Sequence, residues 1–367
     1  MQTRAAVLHE PGQALQVETV EVLPPRAGEV LVRFVASGVC HSDLHVIQKH
    51  LPHPTPVVLG HEGAGVVEAV GPGVGTVHVG DHVLTSYIPS CGRCPYCATG
   101  RPNLCDLRDA PRHLMADGTA RFQANGHEIY SHFLQISSFA ARAVLPELSV
   151  ISIRKDAPLE VVCLVSCGVA AGAGAVVNRA RVSPGSSVVV LGCGGVGLNA
   201  IQAAALVGAA KIIGVDVFEP KLAAAREFGA THVIDAAREE DPAARVRELC
   251  GRGGADYAIE VVGSARTIEQ ALQMVHRGGT VVVVGISPAG TRLAIDPTLL
   301  LQERVLTGSS FGGSRQRVDL PMYVDLFMQG KYKLRELITR EIDLAALNDA
   351  YARLERGEVR RSVIRYA

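Results

Sequence analysis

One stretch of the chain constrains its fold more than any other. Residues 188–191 form a short apolar run that leads into Gly192-Cys-Gly-Gly-Val-Gly197, and a helix-compatible segment over 196–207 follows. A strand, a turn of the pattern G-x-G-x-x-G and a helix, in that order, specify a dinucleotide-binding βαβ unit. Gly192 permits the tight turn, Gly194 lets the backbone approach a pyrophosphate, and Gly197 lets helix and strand pack closely. Backbone N–H groups at the start of the helix supply partial positive charge for the phosphates. Asp216 ends the next strand. Its carboxylate can accept hydrogen bonds from both ribose hydroxyls and would repel a 2′-phosphate, which favours NAD over NADP. Other glycine clusters lack this context. Gly71-Pro-Gly-Val-Gly75 sits between two strands as a turn, and no strand precedes Gly172-Ala-Gly174.

The alternation continues downstream, with a strand over 212–215, a helix over 220–228 and strands over 232–234, 258–262 and 280–285. Strands alternating with helices predict a doubly wound parallel sheet, an α/β fold of Rossmann type. Residues 1–168 read differently. The β-branched runs 30–35 and 66–70, and a third run from 79 to 84, are bounded by Gly and Pro, which suggests a small antiparallel barrel. After about residue 310 the alternation stops. The tail shows one amphipathic helix, with Leu344, Leu347, Tyr351 and Leu354 on one side and Gly357 as its stop. The expected domains are therefore 1–168, 169–310 for the dinucleotide-binding domain, and 311–367 returning to the first. A chain of 367 residues suits two domains.

The 36 basic residues balance the 36 acidic ones, which argues against nucleic acid or an anionic membrane as the main partner. The least polar stretch, 161–177, falls short of the ~20 residues needed to span a bilayer. No export signal is readable in residues 1–10. Nine cysteines, an odd number, fit a cytoplasmic setting in which some thiols hold metal. Cys91, Cys94, Cys97 and Cys105 follow the spacing C-x2-C-x2-C-x7-C, which suits a closed tetrahedral zinc site of structural use. An iron–sulfur cluster is the rival, because ferredoxin motifs begin with the same two spacings. The long last spacing and the lack of a second cluster motif favour zinc. Cys40, His61 and Cys167 are dispersed, and each alone reads more readily as a buried structural residue than as a ligand.

Taken together, the run 60–71 (Gly-His-Glu-Gly-Ala-Gly-Val-Val-Glu-Ala-Val-Gly), the four-cysteine lobe and Gly192–Gly197 resemble the zinc-dependent medium-chain alcohol dehydrogenase family, over essentially the whole chain. The resemblance implies a GroES-like catalytic domain interrupted by the Rossmann domain, with the active site in the cleft between. It implies two zinc ions per subunit. Cys40, His61 and Cys167 would bind the catalytic one, Asp43 would orient His61, and Glu62 would lie behind the metal. The four-cysteine lobe would bind the structural one. Zinc should favour an alkoxide over the alcohol, and the alkoxide carbon can then release hydride to NAD. Ser42 and His45 match the family's proton relay. Coenzyme contacts are implied at Gly195, Val196, Lys221, Val262 and Ile286. Arg361 matches a pyrophosphate-binding arginine. His41 stands where many members carry Arg and should clamp more weakly. Ala171 replaces a common Thr.

By the same motifs, Leu51, Tyr87, Ala110, Phe133, Leu134, Ile286 and Ser310 should line the substrate channel. Ala110 and Ser310 replace larger apolar residues, so bulky or aromatic primary alcohols are the expected substrates. The alternatives are a glutathione-dependent formaldehyde dehydrogenase, a polyol dehydrogenase and a non-catalytic NAD sensor. The glutathione class is less expected, because Asp109 stands where its members carry an arginine. The segment 111–132 matches the extended loop of typically dimeric members. A homodimer is expected first and a tetramer second, paired through the edge strands 280–285 and 305–308.

Overall fold

The strand Glu29–Gly38 pairs antiparallel with Glu62–Val70, with Gly38 opposite Glu62 and Ala36 opposite Ala64. This computed structural model describes residues 1–124 and 127–366. The pairing follows from the sequence, since β-branched side chains fit a pleated, buried surface. Val30, Val32, Phe34 and Ala36 are all buried. Its register places the segments just beyond each strand, Cys40 on one and His61 on the other, at the same end of the sheet.

The chain divides into two compact units, Met1–Cys167 with the chain from Arg315 onward, and Gly168–Ser314. In the first unit a closed barrel runs Gln2–Leu8, Gln16–Val22, Phe122–Ala124, His127–His132 and Val57–Val58. A seven-stranded sheet runs Val150–Ile153, His82–Thr85, Glu62–Val70, Glu29–Gly38, Arg361–Arg365 and Ile338–Ile342, with Arg142–Pro146 also on Glu29–Gly38. The pairing is not antiparallel throughout. Ile338–Ile342 runs parallel to Arg361–Arg365, and Val57–Val58 parallel to His127–His132.

The tail returns to the first unit for a physical reason. Leu344, Leu347, Tyr351 and Leu354 are buried in one core cluster with Val39, Leu44, Leu59 and Phe139. Each such burial stabilises by about 1.5–3 kcal/mol. The tail holds two helices, Gln316–Met328 and Leu347–Glu355, where the sequence reading expects one. Pro321 inside the first helix reads as a helix breaker and hides it from the sequence pattern. The expected extended loop over 111–132 includes residues 125 and 126, which lie outside the described residues.

The second unit is a six-stranded parallel sheet in the order His232–Asp235, Lys211–Asp216, Ser187–Leu191, Ala255–Glu260, Val275–Val283 and Val305–Gly308. The strand expected over 258–262 is Ala255–Glu260. It stops there because the Glu260 side chain turns back to accept from the N–H groups of Val262 and Gly263, both at 2.8 Å. The helix after the glycine turn is Gly195–Leu206. A Cβ on Gly197 would lie 1.8 Å from the Gly192 carbonyl oxygen, so only glycine lets the helix start this close to the turn. Among the described residues no single helix is long and apolar enough to cross a membrane.

Candidate metal centre and dinucleotide loop

The cysteine lobe is local. Cys94 caps the short helix Pro95–Ala98 by accepting from the N–H of Cys97 at 3.4 Å, and Cys91 accepts from the N–H of Cys94 at 3.3 Å. The Cys91 and Cys97 sulfurs stand 3.9 Å apart, and the four sulfurs lie within 4.8 Å of one another. Zn–S bonds of about 2.3 Å in a tetrahedron set sulfurs ~3.8 Å apart, so the lobe fits a zinc ion. Backbone N–H donors, first from Arg93, bring the Cys91 thiol down to about 6, whereas burial pushes Cys105 up to about 12.

The second centre is assembled from distant segments. Cys40, His61, Glu62 and Cys167 present ligand atoms within 4.8 Å of one another. Cys40 follows the strand Glu29–Gly38 and begins the helix His41–Ile47. His61 is held by Thr85, whose hydroxyl donates to the His61 carbonyl at 2.8 Å and accepts from the N–H of Gly63 at 2.9 Å. Cys167 follows the turn Cys163–Ser166, which the Ser166 hydroxyl ties to the Gly63 carbonyl at 3.1 Å.

Electrostatics at this centre favour a cation. Asp43 is fully buried; it accepts from the N–H of Gly60 at 2.8 Å and faces His61 Nδ1 at 3.2 Å. With Nδ1 engaged, the remaining ring nitrogen of His61 is the one available to the thiols. Burial opposes charge on His61, but Asp43 and Cys40 together raise its proton affinity well above the usual range. The Cys40 thiol is held well below its ordinary value, first by Cys167 and then, against the effect of burial, by His61. Glu62 is pushed up to about 7 by burial, against the pull of Arg361. Arg361 donates to Glu62 and to the Val39 carbonyl, while Glu62 Oε1 is buried without a partner among the described residues. Two soft thiols, an imidazole and a carboxylate in so small and buried a space fit zinc.

Of the other expected site residues in this unit, Ser42 lies 3.7 Å from the Cys40 sulfur and His45 lies on the same helix. His41 is exposed at the first position of that helix. The rings of Tyr87 and Phe133 meet His61 edge-on, at 5.8 and 5.7 Å. Leu51 and Ala110 are exposed and Leu134 is half-buried.

The sequence reading missed four residues near this wall. Arg112 donates to the Tyr87 carbonyl, and burial pushes the Tyr87 hydroxyl well above its ordinary value, against the pull of Arg108 and Arg112. His53 packs against Phe133 at 5.5 Å and against His113 at 6.5 Å. Basic residues soon after Cys105 were the available signal for Arg108 and Arg112. Nothing local marks the two histidines.

In the second unit Gly192 has φ +94°, and a Cβ on Gly194 would meet nothing within 4 Å. The backbone there lies open at the N-terminus of a twelve-residue helix, which fits a pyrophosphate. Asp216 accepts from the N–H groups of Cys193 at 2.7 Å, Val217 at 2.8 Å and Phe218 at 3.1 Å, so it also braces the glycine turn. Lys221 lies over the Phe218 ring at 4.7 Å. Val262 and Ile286 are exposed and Ser310 is half-buried.

Comparison with known proteins agrees with this arrangement. Residues 26–155 match the family model for an alcohol dehydrogenase GroES-like domain, and 195–328 that for a zinc-binding dehydrogenase. The chain is 41% identical to S-(hydroxymethyl)glutathione dehydrogenase of Paracoccus denitrificans, covering all of both chains. A solved alcohol dehydrogenase zinc-binding domain protein from Burkholderia ambifaria is 38% identical, with TM-score 0.96, over 100% of this chain and 99% of that one. Benzyl alcohol dehydrogenase of Acinetobacter calcoaceticus is 34% identical, with TM-score 0.94, over the whole of both chains.

Proposed function

The chain belongs to the zinc-dependent medium-chain alcohol dehydrogenase family, and from that premise we propose that this NAD-dependent enzyme oxidises S-(hydroxymethyl)glutathione. One observation carries the substrate reading: the Arg112 guanidinium donates to the carbonyl of Tyr87, whose ring meets His61, and Arg108 lies four residues before it. Glutathione carries two carboxylates on a flexible arm, and guanidinium–carboxylate bonds are among the stronger hydrogen bonds in proteins. Asp109 pairs with Arg108, but solvent screens the contact. Its carboxylate stands 3.5 Å from Arg108 and is 84% exposed. The full-length likeness to the Paracoccus denitrificans enzyme supports the same reading.

Cys40, His61 and Cys167 would hold the catalytic zinc, and Cys91, Cys94, Cys97 and Cys105 the structural one. When bound, zinc supplies Lewis acidity at the alcohol oxygen and NAD accepts the hydride. Asp43 fixes the tautomer of His61 through Nδ1. The Ser42 hydroxyl would accept the alcohol proton as it gives up its own, and His45 would pass on the proton that leaves the relay. The N–H groups of Gly194, Gly195, Val196 and Gly197 would bind the pyrophosphate, while that of Gly192 donates to the Val215 carbonyl at 2.8 Å and Gly192 serves the turn; His41 and Arg361 are coenzyme residues that the family likeness implies. Asp216 would hold the ribose, and Lys221, Val262 and Ile286 would complete the coenzyme contacts. The edge strand Val305–Gly308 supports pairing of two copies into a homodimer, with a tetramer as the second choice. Val305 is 47% exposed there and neighbouring Leu301 83%.

A second reading, a bulky or aromatic primary alcohol, is favoured by the two aromatic rings against His61 and by the likeness to benzyl alcohol dehydrogenase. NADH formation separates the two. Formaldehyde with glutathione should outperform benzyl alcohol and ethanol in kcat/KM. Arg108→Ala should raise KM for the glutathione adduct about 10- to 100-fold and leave benzyl alcohol unaffected, because a charge-assisted bond contributes about 1.5–3 kcal/mol. Turnover of benzyl alcohol with no response to glutathione would replace the first reading by the second.

A further inference from the structure

The helix His41–Ile47 ends in a reversal that stacks one histidine on another. Lys49 adopts φ 67°, in the left-handed region. The N–H of Lys49 then bonds to the Val46 carbonyl at 3.2 Å, and the N–H of His50 to the His45 carbonyl at 2.8 Å. This six-to-one closure is a Schellman motif, and it folds residue 50 back over residue 45. The two imidazole rings stand 5.7 Å apart between centroids, tilted by 50°. Their burial differs. His45 is half-buried, and its Nδ1 is wholly buried with no hydrogen-bond partner among the described residues; His50 is exposed.

We infer that His50 is the outer half of a two-imidazole proton exit, taking from His45 the proton released on alcohol oxidation and delivering it to solvent. A neutral imidazole accepts at one ring nitrogen and donates from the other, so it can gain a proton on one side and lose one on the other. The centroid separation is too long for a direct nitrogen–nitrogen hydrogen bond and leaves room for one bridging water. The step balances simply. One proton reaches one ring nitrogen of His45, another leaves from its second nitrogen to His50, and His50 releases one proton to water. No electron moves.

Electrostatics give the transfer its direction. Burial, and then His50, lower the proton affinity of His45, and only Cys40 opposes them. Two imidazolium rings this close repel, so a charged His45 is relieved by passing its proton to the exposed partner. Glu355 is held by Gln48, and the Lys49 stem crosses above Gly12, where a Cβ would lie 3.1 Å from its Cε.

The inference rests on the relay role proposed for His45, and the two can fail separately. Proton titration of the histidine ring resonances in the full chain without substrate reads the coupling. In His50→Ala the midpoint of His45 should rise by roughly half a unit, because a like charge is gone. Stopped-flow detection of the proton-release burst with an indicator dye, in dilute buffer, reads the transfer. His50→Ala should slow that burst by roughly 3- to 10-fold, and added imidazole should restore it, within the range of a positioned acid–base group. An unchanged His45 midpoint, an unchanged burst or a loss that imidazole does not restore would each overturn the exit. If His45→Gln also leaves the burst unchanged, the relay reading falls with it. If only His45→Gln slows the burst, the relay stands and His50 has no part in it.

Discussion

The two cysteine-bearing centres of the first unit are built by opposite routes. In the lobe, Cys91, Cys94, Cys97 and Cys105 lie within one short segment, and the supporting hydrogen bonds run between near neighbours in sequence. In the buried centre, Cys40, His61 and Cys167 meet only because Gly38 pairs with Glu62 and Ser166 bonds to Gly63. Surroundings differ as well. Cys94 and Cys97 are half-exposed, while Asp43 and Glu62 beside the second centre are fully buried. A local site is cheap in loop entropy and needs little around it. A dispersed site must be held by the whole sheet, and its charges must be paired in low dielectric. That cost is what a reactive centre requires, since water exclusion strengthens every electrostatic interaction within it.

The largest expected effect tests which centre does the chemistry. Cys167→Ala should remove one of two zinc ions per chain by metal analysis and lower kcat by ~10³-fold or more, since a Lewis-acid metal contributes several kcal/mol at the transition state. Full activity in that variant would break the comparison at its root. Next in size is the lobe. Cys94→Ala should also cost one zinc ion but lower Tm by roughly 5–10 °C, while activity per folded molecule persists. Loss of activity with Tm unchanged would mean the two roles are exchanged. The smallest effect sharpens the packing side of the contrast. A Cβ on Gly38 would lie 2.1 Å from Glu62 Oε2 and 3.1 Å from the Arg361 guanidinium. Gly38→Ala should therefore destabilise by about 1–3 kcal/mol in denaturant titration and weaken zinc at the buried centre, leaving the lobe's zinc in place. Equal weakening of both would show that the centres are not independent.

Much of this was legible in the sequence. The glycine turn, the acidic residue after it and the four-cysteine spacing are local signals, and each is borne by backbone geometry within a few residues. The parallel sheet follows from the alternation of strands and helices, and the family likeness from motifs in fixed order. The helix Gln316–Met328 was not legible, because Pro321 carries a local signal that tertiary packing overrides. Arg108 and Arg112 escaped notice because only folding brings them against Tyr87, and the likeness to a glutathione-dependent enzyme runs against the expectation drawn from Asp109.

What the sequence determined by itself is therefore the kind of chemistry: a dinucleotide turn, a metal lobe and, through the family resemblance, Cys40, His61 and Cys167 as ligands of a second metal. Short-range patterns suffice for the turn and the lobe, since the residues that act together there are neighbours along the chain. Tertiary structure alone decided how those thiols and the imidazole are held together, why Glu62 needs Arg361, and that His50 comes back over His45. Those are matters of register, burial and chain reversal, and the energies that govern them arise between residues far apart in sequence.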